Sequence, residues 1–525
     1  MKPITLIFLS LTLMASWAGA QFNPMTLVGE YYGEFTENLL FGQSTTAGDF
    51  DNDGQEEFII GAPGWNNHMG KSYLYDWNGD WPTTPIWTPH GTIEGRMYDL
   101  CDQNVGDING DGIVDFSLQE VAFGPAQEAR LDLYFGSTGL DTFPDWEMWS
   151  GDSVCAFGNW LDSCGDVNGD GGNDFIMEVE ESNYWTCFTR IYHGGDQLDT
   201  IPDWEYPIGS YAPCCGLGDV NGDGFADVMI LDANEGPPKL FLGGNPMDTI
   251  PDLIFYDWAL EGVGGGVGDI NGDGYNDFCM PMRLPDSTLS YDQVYFGGPD
   301  VDNLGDAILQ NRFGECWASL HCVSCGDFNG DGYSDIASGT GDPYWGNVVY
   351  IYLGSPWFNP VPDAVVTDYS IYYEFGQTIS SGDVNGDGRD ELLVSAVNYG
   401  WFGQGKVYLY TGPDEWIDYG AGVEPEELRR YPGWFRLEQN YPNPFNSATS
   451  IHFELGKPSQ VNLAVYDLLG NKVNTMIKQK QMCPGGYNVS WTGKNAGNRP
   501  VSSGIYLIEL RVDQYRQIRK MALLR

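Results

Sequence analysis

The sequence predicts an all-β protein: a seven-bladed β-propeller followed by a small Ig-like β-sandwich. Three observations carry this. An acidic turn, Asp-x-[Asp/Asn]-x-Asp-Gly, recurs seven times, starting at Asp49, Asp107, Asp166, Asp219, Asp269, Asp327 and Asp383. Each turn is followed by short apolar and aromatic runs bounded by Gly, Pro, Asp and Asn, the pattern of strands and their connections. After Tyr431-Pro432-Gly433 the composition changes, and alternating strand patterns fill residues 434–525.

The seven turns, numbered 1 to 7 below, are spaced by 58, 59, 53, 50, 58 and 56 residues. A fixed period of this size marks a repeat architecture. Behind each turn comes an apolar run such as FIIGAP, DFIMEV or ELLVSA, then a loop of varied length. Next comes an aromatic-rich strand closing in Gly, such as LDLYFG, QVYFGG or KVYLYTG. Four short strands per unit fit a propeller blade. Closure into a ring removes the sheet edges that a linear array exposes. Residues 21–40 precede turn 1 and are rich in strand formers, so they are expected to complete the last blade and latch the ring.

Residues 1–20 read as a secretory signal peptide: Lys2, an apolar run, then Ala18-Gly19-Ala20 as the cleavage site. The expected division is signal 1–20, propeller 21–422, linker 423–433 and C-terminal domain 434–525. No later stretch has the ~18 unbroken apolar residues of a membrane span. Charge is uneven. Residues 21–433 carry 69 acidic and 11 basic residues, whereas 434–525 carry 5 acidic and 12 basic. So acidic a body repels nucleic acid and anionic lipid. With 14% aromatic and 42% hydrophobic residues it is nonetheless a packed fold, and bound cations are the natural partners of its acids. Eleven cysteines in an exported chain make disulfides an option. Cys155 and Cys164 stand at the same offsets from turn 3 as Cys316 and Cys325 from turn 6, which suggests the pairs Cys155–Cys164 and Cys316–Cys325.

The spacing inside the turn carries chemistry. Side chains at positions 1, 3 and 5 share one concavity because Gly at position 6 lets the chain reverse. The backbone carbonyl at 7 and a carboxylate at 9 complete an oxygen cage suited to calcium. The candidate ligands of turn 1 are Asp49, Asp51, Asp53, the carbonyl of Gln55, and Glu57. Those of turn 2 are Asp107, Asn109, Asp111, Ile113 and Asp115. Turn 3 offers Asp166, Asn168, Asp170, Gly172 and Asp174, and turn 4 offers Asp219, Asn221, Asp223, Phe225 and Asp227. Turn 5 has Asp269, Asn271, Asp273, Tyr275 and Asp277. Turn 6 has Asp327, Asn329, Asp331, Tyr333 and Asp335, and turn 7 has Asp383, Asn385, Asp387, Arg389 and Glu391. Position 12 is Ile60, Leu118, Met177, Ile230, Met280, Ser338 or Val394. None is the Glu of an EF-hand or the acid of a dockerin loop, so both readings fail in every copy. Up to seven calcium ions are expected, in a mainly structural role.

The residues around the turns resemble FG-GAP/VCBS-type repeats, the blades of integrin α-subunit propellers. Phe41-Gly42 precedes turn 1 and Gly61-Ala62-Pro63 follows it; Phe375-Gly376 precedes turn 7. The resemblance implies that the calcium loops join the first two strands of each blade on one face, and that ligands meet the opposite face. The C-terminal segment resembles the type A sorting domain of type IX secretion, through Asn440-Tyr441-Pro442-Asn443-Pro444-Phe445-Asn446, Val465-Tyr466-Asp467, Ser503-Gly504-Ile505-Tyr506 and Lys520-Met521. It implies passage through the periplasm to the outside or the outer cell surface, handled by the type IX machinery. A carbohydrate-binding or fibronectin-like module is the alternative for this segment.

No G-x-S-x-G, H-E-x-x-H or P-loop is present, so no catalytic residue is assigned. The leading expectation is a binding or adhesion module; the rival is a polysaccharide lyase or hydrolase on the same scaffold. Loops after the second strand of each blade carry Trp65, Tyr184, Trp185, Tyr344, Trp345, Trp401 and Phe402. Flat rings among polar residues suit stacking on a glycan or gripping a cell-surface protein. The alternative is that they pack between blades.

Overall fold

The computed structural model describes residues 22–416 and 435–523, apart from short internal segments; the longer of these are 35–39, 123–128, 182–186, 256–263, 284–288, 316–322, 340–347, 369–374 and 398–403. The expected signal peptide at 1–20 and linker at 423–433 lie outside the described residues.

Among the described residues, seven antiparallel sheets occupy the span from Thr26 to Thr411, and each holds one acidic turn between two paired strands, its first and second in blade order; in sheet 2 these are Gln103–Gly106 and Asp115–Ala122. Sheet 1 runs Thr45–Gly48, Glu57–Ala62, Lys71–Tyr75; sheet 4 runs Cys214–Gly218, Asp227–Ile230, Lys239–Phe241, Leu253–Ile254. The first strands of successive sheets lie against one another in order, and that of sheet 7, Phe375–Gly382, lies against that of sheet 1. This cyclic order is the arrangement expected of a propeller.

Packing explains why the second strands read as unbroken apolar runs. Glu57–Ala62 and Glu391–Ala396 are buried at every residue, because both faces of a sheet are covered by its neighbours. Ile59 and Leu74 of sheet 1 pack with Phe116, Leu118 and Tyr134 of sheet 2. Phe58, Ile60, Tyr73 and Tyr75 of sheet 1 pack with Leu393, Val407 and Leu409 of sheet 7. One cross-strand pair recurs: Phe58 stacks on Tyr75, Phe116 on Tyr134, Phe175 on Tyr192 and Phe278 on Tyr295, with ring centroids 4.9–5.1 Å apart. Each such pair contributes about 0.5–1.5 kcal/mol beyond area burial.

The N-terminal strand Thr26–Tyr32 joins sheet 7 as its outer strand, paired antiparallel with Lys406–Thr411. Glu30 and Lys406 form an ion pair at 2.6 Å. Tyr31 is buried and meets the rings of Phe58 and Tyr75 in sheet 1, at 5.2 and 4.8 Å. A residue from the start of the chain therefore sits where the last sheet meets the first. Tyr31→Ala is expected to cost about 3–5 kcal/mol, the range for a large buried aromatic. Chemical denaturation of the full chain measures it; a loss below 1 kcal/mol would show that the strand does not latch the ring.

The proposed disulfides do not stand. Cys155 and Cys164 lie in one strand, Val154–Gly165, whose ends pair with Glu181 and Asp174. Cys155 falls opposite Glu181/Glu180 and Cys164 opposite Phe175/Asp174; about six steps at ~3.3 Å set them ~20 Å apart, far beyond the roughly 4–7 Å between the Cα atoms of a disulfide. Cys164 is a buried free thiol and Cys325 is also free; Cys316 lies outside the described residues.

The C-terminal residues form two sheets around one core, as a sandwich should. One contains Phe435–Leu437, Thr449–Leu455 and Gly485–Trp491; the other contains Lys472–Met482, Ser459–Asp467, Gly504–Val512 and Tyr515–Leu523. The Asn-rich motif is a clasp. Buried Asn440 donates to the Pro442 carbonyl at 3.1 Å and to Thr449 Oγ1 at 2.8 Å. Asn443 Oδ1 accepts the Ala522 N–H at 2.8 Å, and the Phe445 N–H donates to the Ala522 carbonyl at 2.9 Å. The motif thereby ties down the final strand.

Candidate metal centres

All seven turns lie within the described residues, and each folds around its first Asp. In turn 4, Asp219 Oδ1 accepts the N–H of Gly222 at 2.6 Å and of Asp223 at 3.2 Å, and Oδ2 accepts that of Gly224 at 2.9 Å. Asn221 Oδ1 accepts the Asp223 N–H at 2.8 Å, and Asp223 Oδ1 accepts the Phe225 N–H at 3.0 Å. Gly222 and Gly224 have φ of +78° and +93°, a region that only Gly enters without strain. The side-chain oxygens at 1, 3 and 5 are thus turned inward by the loop's own backbone. Turns 2 and 6 repeat this pattern.

Position 9 does more than the sequence suggests. Glu57, Asp115, Asp174, Asp227, Asp277, Asp335 and Glu391 are all fully buried. In turns 2 to 6 the Asp staples three segments together. One oxygen accepts the N–H of position 2, as Asp227 accepts from Val220 at 2.8 Å. The other accepts from the Gly that ends the third strand, as Asp227 accepts from Gly243 at 2.8 Å. The same pair of bonds recurs at Asp115, Asp174, Asp277 and Asp335. The Gly that closes the aromatic strand in these five sheets is thereby explained.

Neighbouring turns are bonded to each other. The N–H at position 8 donates to the position-1 carbonyl of the preceding turn: Asn173 to Asp107, Ala226 to Asp166, Asn276 to Asp219, Ser334 to Asp269 and Asp390 to Asp327, at 2.8–3.2 Å. Glu56 to Asp383, at 3.0 Å, closes the series from turn 1 back to turn 7. A second kind of bond links turns 1 and 2, from the Ser137 N–H to the Phe50 carbonyl at 2.9 Å, and it recurs from Gly195 to Ile108, Gly244 to Val167, Gly298 to Val220 and Ser355 to Ile270. Side chains interlock as well. A Cβ at Gly222 would lie 2.2 Å from the Tyr275 ring of the next turn, and one at Gly272 would lie 2.2 Å from the Tyr333 ring.

Burial dominates the electrostatics. It pushes Asp115, Asp174 and Asp227 up to about 7, and Glu57, Asp277, Asp335 and Glu391 up to about 8, with the nearby loop carboxylates adding to the rise. Glu56 rises to about 7 through burial and the Asp390, Asp383 and Asp49 charges. A cation in the loops would offset this penalty. The donors are all oxygens, and Glu57 Oε1 is buried without a hydrogen-bond partner among the described residues. Both features fit a hard divalent ion. Carboxylate oxygens of Asp49, Asp51 and Glu57 lie within 4.8 Å of one another.

Of the seven aromatics assigned to the opposite loops, only Trp65 is among the described residues; Tyr184, Trp185, Tyr344, Trp345, Trp401 and Phe402 are not. Trp65 is half-buried and held on several sides. Its Nε1 donates to Glu34 Oε2 at 3.2 Å, the Lys71 ammonium lies 5.3 Å from its ring, and His90 stacks obliquely at 5.3 Å. Sequence reading missed Glu34, which also pairs with Lys71 at 2.8 Å.

Comparison with known proteins agrees with this architecture. Residues 41–75 match the FG-GAP repeat, residues 327–394 the FG-GAP-like repeat, and residues 439–523 the secretion system C-terminal sorting domain. Integrin alpha-5 of Xenopus laevis is 29% identical over 176 residues, covering 31% of this chain and 16% of the integrin. Integrin alpha-IIb of Mus musculus is 33% identical over 161 residues, covering 28% and 14%. Phosphatidylinositol-glycan-specific phospholipase D of Homo sapiens is 26% identical over 159 residues, covering 26% and 18%. The chain spans less than a fifth of each of these relatives. A fungal alcohol oxidase of the AA5 family, in complex with copper, aligns over 96% of this chain and 100% of its own, at 9% identity and a TM-score of 0.41. That likeness carries no argument. Among the described residues no helix is long and apolar enough to cross a membrane. The sorting domain marks an exported protein, extracellular or at the cell surface. The chain thus carries FG-GAP repeats similar to those of integrin α-subunits and ends in a secretion-system C-terminal sorting domain.

Proposed function

We propose that this protein is a calcium-stabilised propeller acting as a binding or adhesion module, with residues 21–422 as its working body. Residues 434–525 direct its export by type IX secretion. The observation that carries this reading is the bonded series of turns. Buried carboxylates and turn-to-turn hydrogen bonds commit that end of the sheets to holding the ring together. The loops at the opposite strand ends are left to meet a partner. Trp65, pinned by Glu34, Lys71 and His90, offers a pre-organised ring there, which lowers the entropy cost of binding.

The partner is a glycan or a cell-surface protein. A glycan array probed with the full chain, with and without EDTA, tests this beside an assay for reducing ends and unsaturated products. Calcium-dependent glycan retention without product supports the reading. Product release would overturn it in favour of an enzyme. Trp345→Ala and Trp401→Ala are expected to weaken retention at least tenfold, the loss of one aromatic anchor. Unchanged retention in both variants, with the fold intact, would remove the aromatic loops from the binding face.

A further inference from the structure

The seven turns are not equivalent, and the first combines four features that no other turn has together. In turns 2, 3, 4 and 6 the Asn at position 3 donates Nδ2 to Oδ2 of the position-5 Asp, at 2.9–3.1 Å. Turn 1 has Asp51 there, so two carboxylates, Asp51 and Asp53, stand where an amide and a carboxylate satisfy each other elsewhere. In turns 2 to 6 both oxygens of the position-9 Asp accept backbone N–H groups; in turn 1, Glu57 Oε2 accepts the Phe50 N–H at 2.9 Å and buried Oε1 has no partner among the described residues, a feature shared with Glu391 Oε2 of turn 7, whose Oε1 accepts from Asn385 at 2.9 Å.

The third difference is Asp76, directly after the strand Lys71–Tyr75. Its Oδ1 is also buried without a partner among the described residues, and because Phe58 pairs antiparallel with Tyr75, Asp76 comes next in register opposite Glu57. The fourth is convergence. Among the described residues, Asp49, Asp51 and Glu57 are the one acidic trio whose oxygens lie within 4.8 Å of each other. Turn 7 faces the same seam but holds a cation of its own, since Arg389 Nη2 pairs with Asp387 at 2.8 Å.

Turn 1 also occupies a distinct place. Glu56 bonds it to Asp383 of turn 7, and the first strands of sheets 1 and 7 meet beside it. The last repeat and the first meet here, far apart in the chain, and are tied by these contacts and by the N-terminal strand Thr26–Tyr32, which pairs in sheet 7 and leads on into sheet 1.

We propose that turn 1 is the tightest divalent-cation site of the protein, that Asp76 strengthens it as an additional carboxylate, and that its occupancy locks the seam between sheets 7 and 1. This rests on the calcium reading of the turns. Affinity in oxygen cages rises with ligand charge, and turn 1 carries the largest uncompensated negative charge of the seven. A bound ion supplies what Glu57 Oε1 and Asp76 Oδ1 lack. Calcium that fills this site first would fix Thr45–Gly48 against Phe375–Gly382 before it stiffens the rest of the ring.

The test is a calorimetric calcium titration of the full chain after EDTA treatment and removal of the chelator. A tightest phase of one ion per chain is expected. Asp51→Asn, which gives turn 1 the residue its six sister turns carry, is expected to weaken that phase about tenfold, as is Asp76→Asn. Asp223→Asn in turn 4 should leave it unchanged. Hydrogen exchange at one calcium equivalent should protect Thr45–Gly48 and Phe375–Gly382 before Cys214–Gly218. A wild-type tightest phase in both turn-1 variants, its loss in Asp223→Asn, or uniform protection would each overturn the assignment while leaving calcium binding intact. The absence of any calcium heat in the wild type would instead remove the calcium reading itself.

Discussion

Chelation at pH 8 is expected to unfold this protein or to lower its melting temperature by tens of degrees. Extracellular calcium modules bind with Kd near 10⁻⁴–10⁻³ M. At about ten times Kd, each site adds about 1.4 kcal/mol. Seven sites add on the order of 10 kcal/mol, as much as the whole stability of a typical domain. The structure explains why the loss would not stay local. Each turn's position-1 carbonyl accepts a hydrogen bond from its neighbour in nearly every case, so a turn that loosens also releases the next sheet. Differential scanning calorimetry with and without EDTA measures the effect, and equal melting temperatures at pH 8 would refute it.

The same experiment has a pH signature. Without a cation, burial holds Glu57, Asp277, Asp335 and Glu391 near 8, and Asp115, Asp174 and Asp227 near 7. These values are raised above the unfolded ones of about 4. The folded state therefore binds more protons than the unfolded state between those limits. Stability is fully present below about 4 and is lost as pH rises through 7 to 8. A bound cation takes the place of the protons, so the loaded protein lacks this decline. EDTA should cost much less stability at pH 5 than at pH 8. An equal cost at both would mean that the position-9 acids are not the groups facing the ion.

The turns were legible because everything that shapes them is local. Asp219, Asn221, Asp223 and Gly224 lie within six residues, and the side-chain oxygens of Asp219 and Asn221 accept their hydrogen bonds from the loop's own backbone. The repeat period and the apolar residues at position 12 separated a strand-entering loop from an EF-hand. The rest of the site depends on partners far along the chain. Asp227 looked like a ligand alone, yet Gly243, sixteen residues on, donates to it. Glu56 and Asp383 are more than three hundred residues apart and meet only because the ring closes. Asp76 follows no turn motif and reaches turn 1 from the end of the third strand. The repeat also misled. Equal offsets place Cys164 and Cys325 at equal points of different sheets, but say nothing about whether Cys155 is near Cys164. Both of those lie along one strand, and length alone separates them.

Asp277→Ala should be the most damaging single substitution in the turns, even with calcium in excess. The carboxylate is fully buried and accepts the Ile270 N–H at 3.1 Å and the Gly297 N–H at 2.7 Å. Alanine removes both acceptors and leaves two donors in a place water does not reach. A hydrogen bond to a charged group contributes about 1.5–3 kcal/mol, and a buried donor left alone carries its full desolvation cost. The expected loss is therefore about 3–6 kcal/mol, beyond any change in calcium affinity. Asp273→Ala in the same turn removes an exposed position-5 carboxylate that accepts the Tyr275 N–H within the loop at 3.2 Å. Its cost should be small in excess calcium and should appear chiefly as weaker binding. The two variants separate the staple from the ligand: Asp277→Ala should lower the melting temperature at every calcium concentration, and Asp273→Ala only when calcium is limiting. If both variants regain wild-type stability in excess calcium, position 9 acts through the ion alone. The hydrogen bonds to Ile270 and Gly297 would then contribute nothing of their own, which their burial argues against.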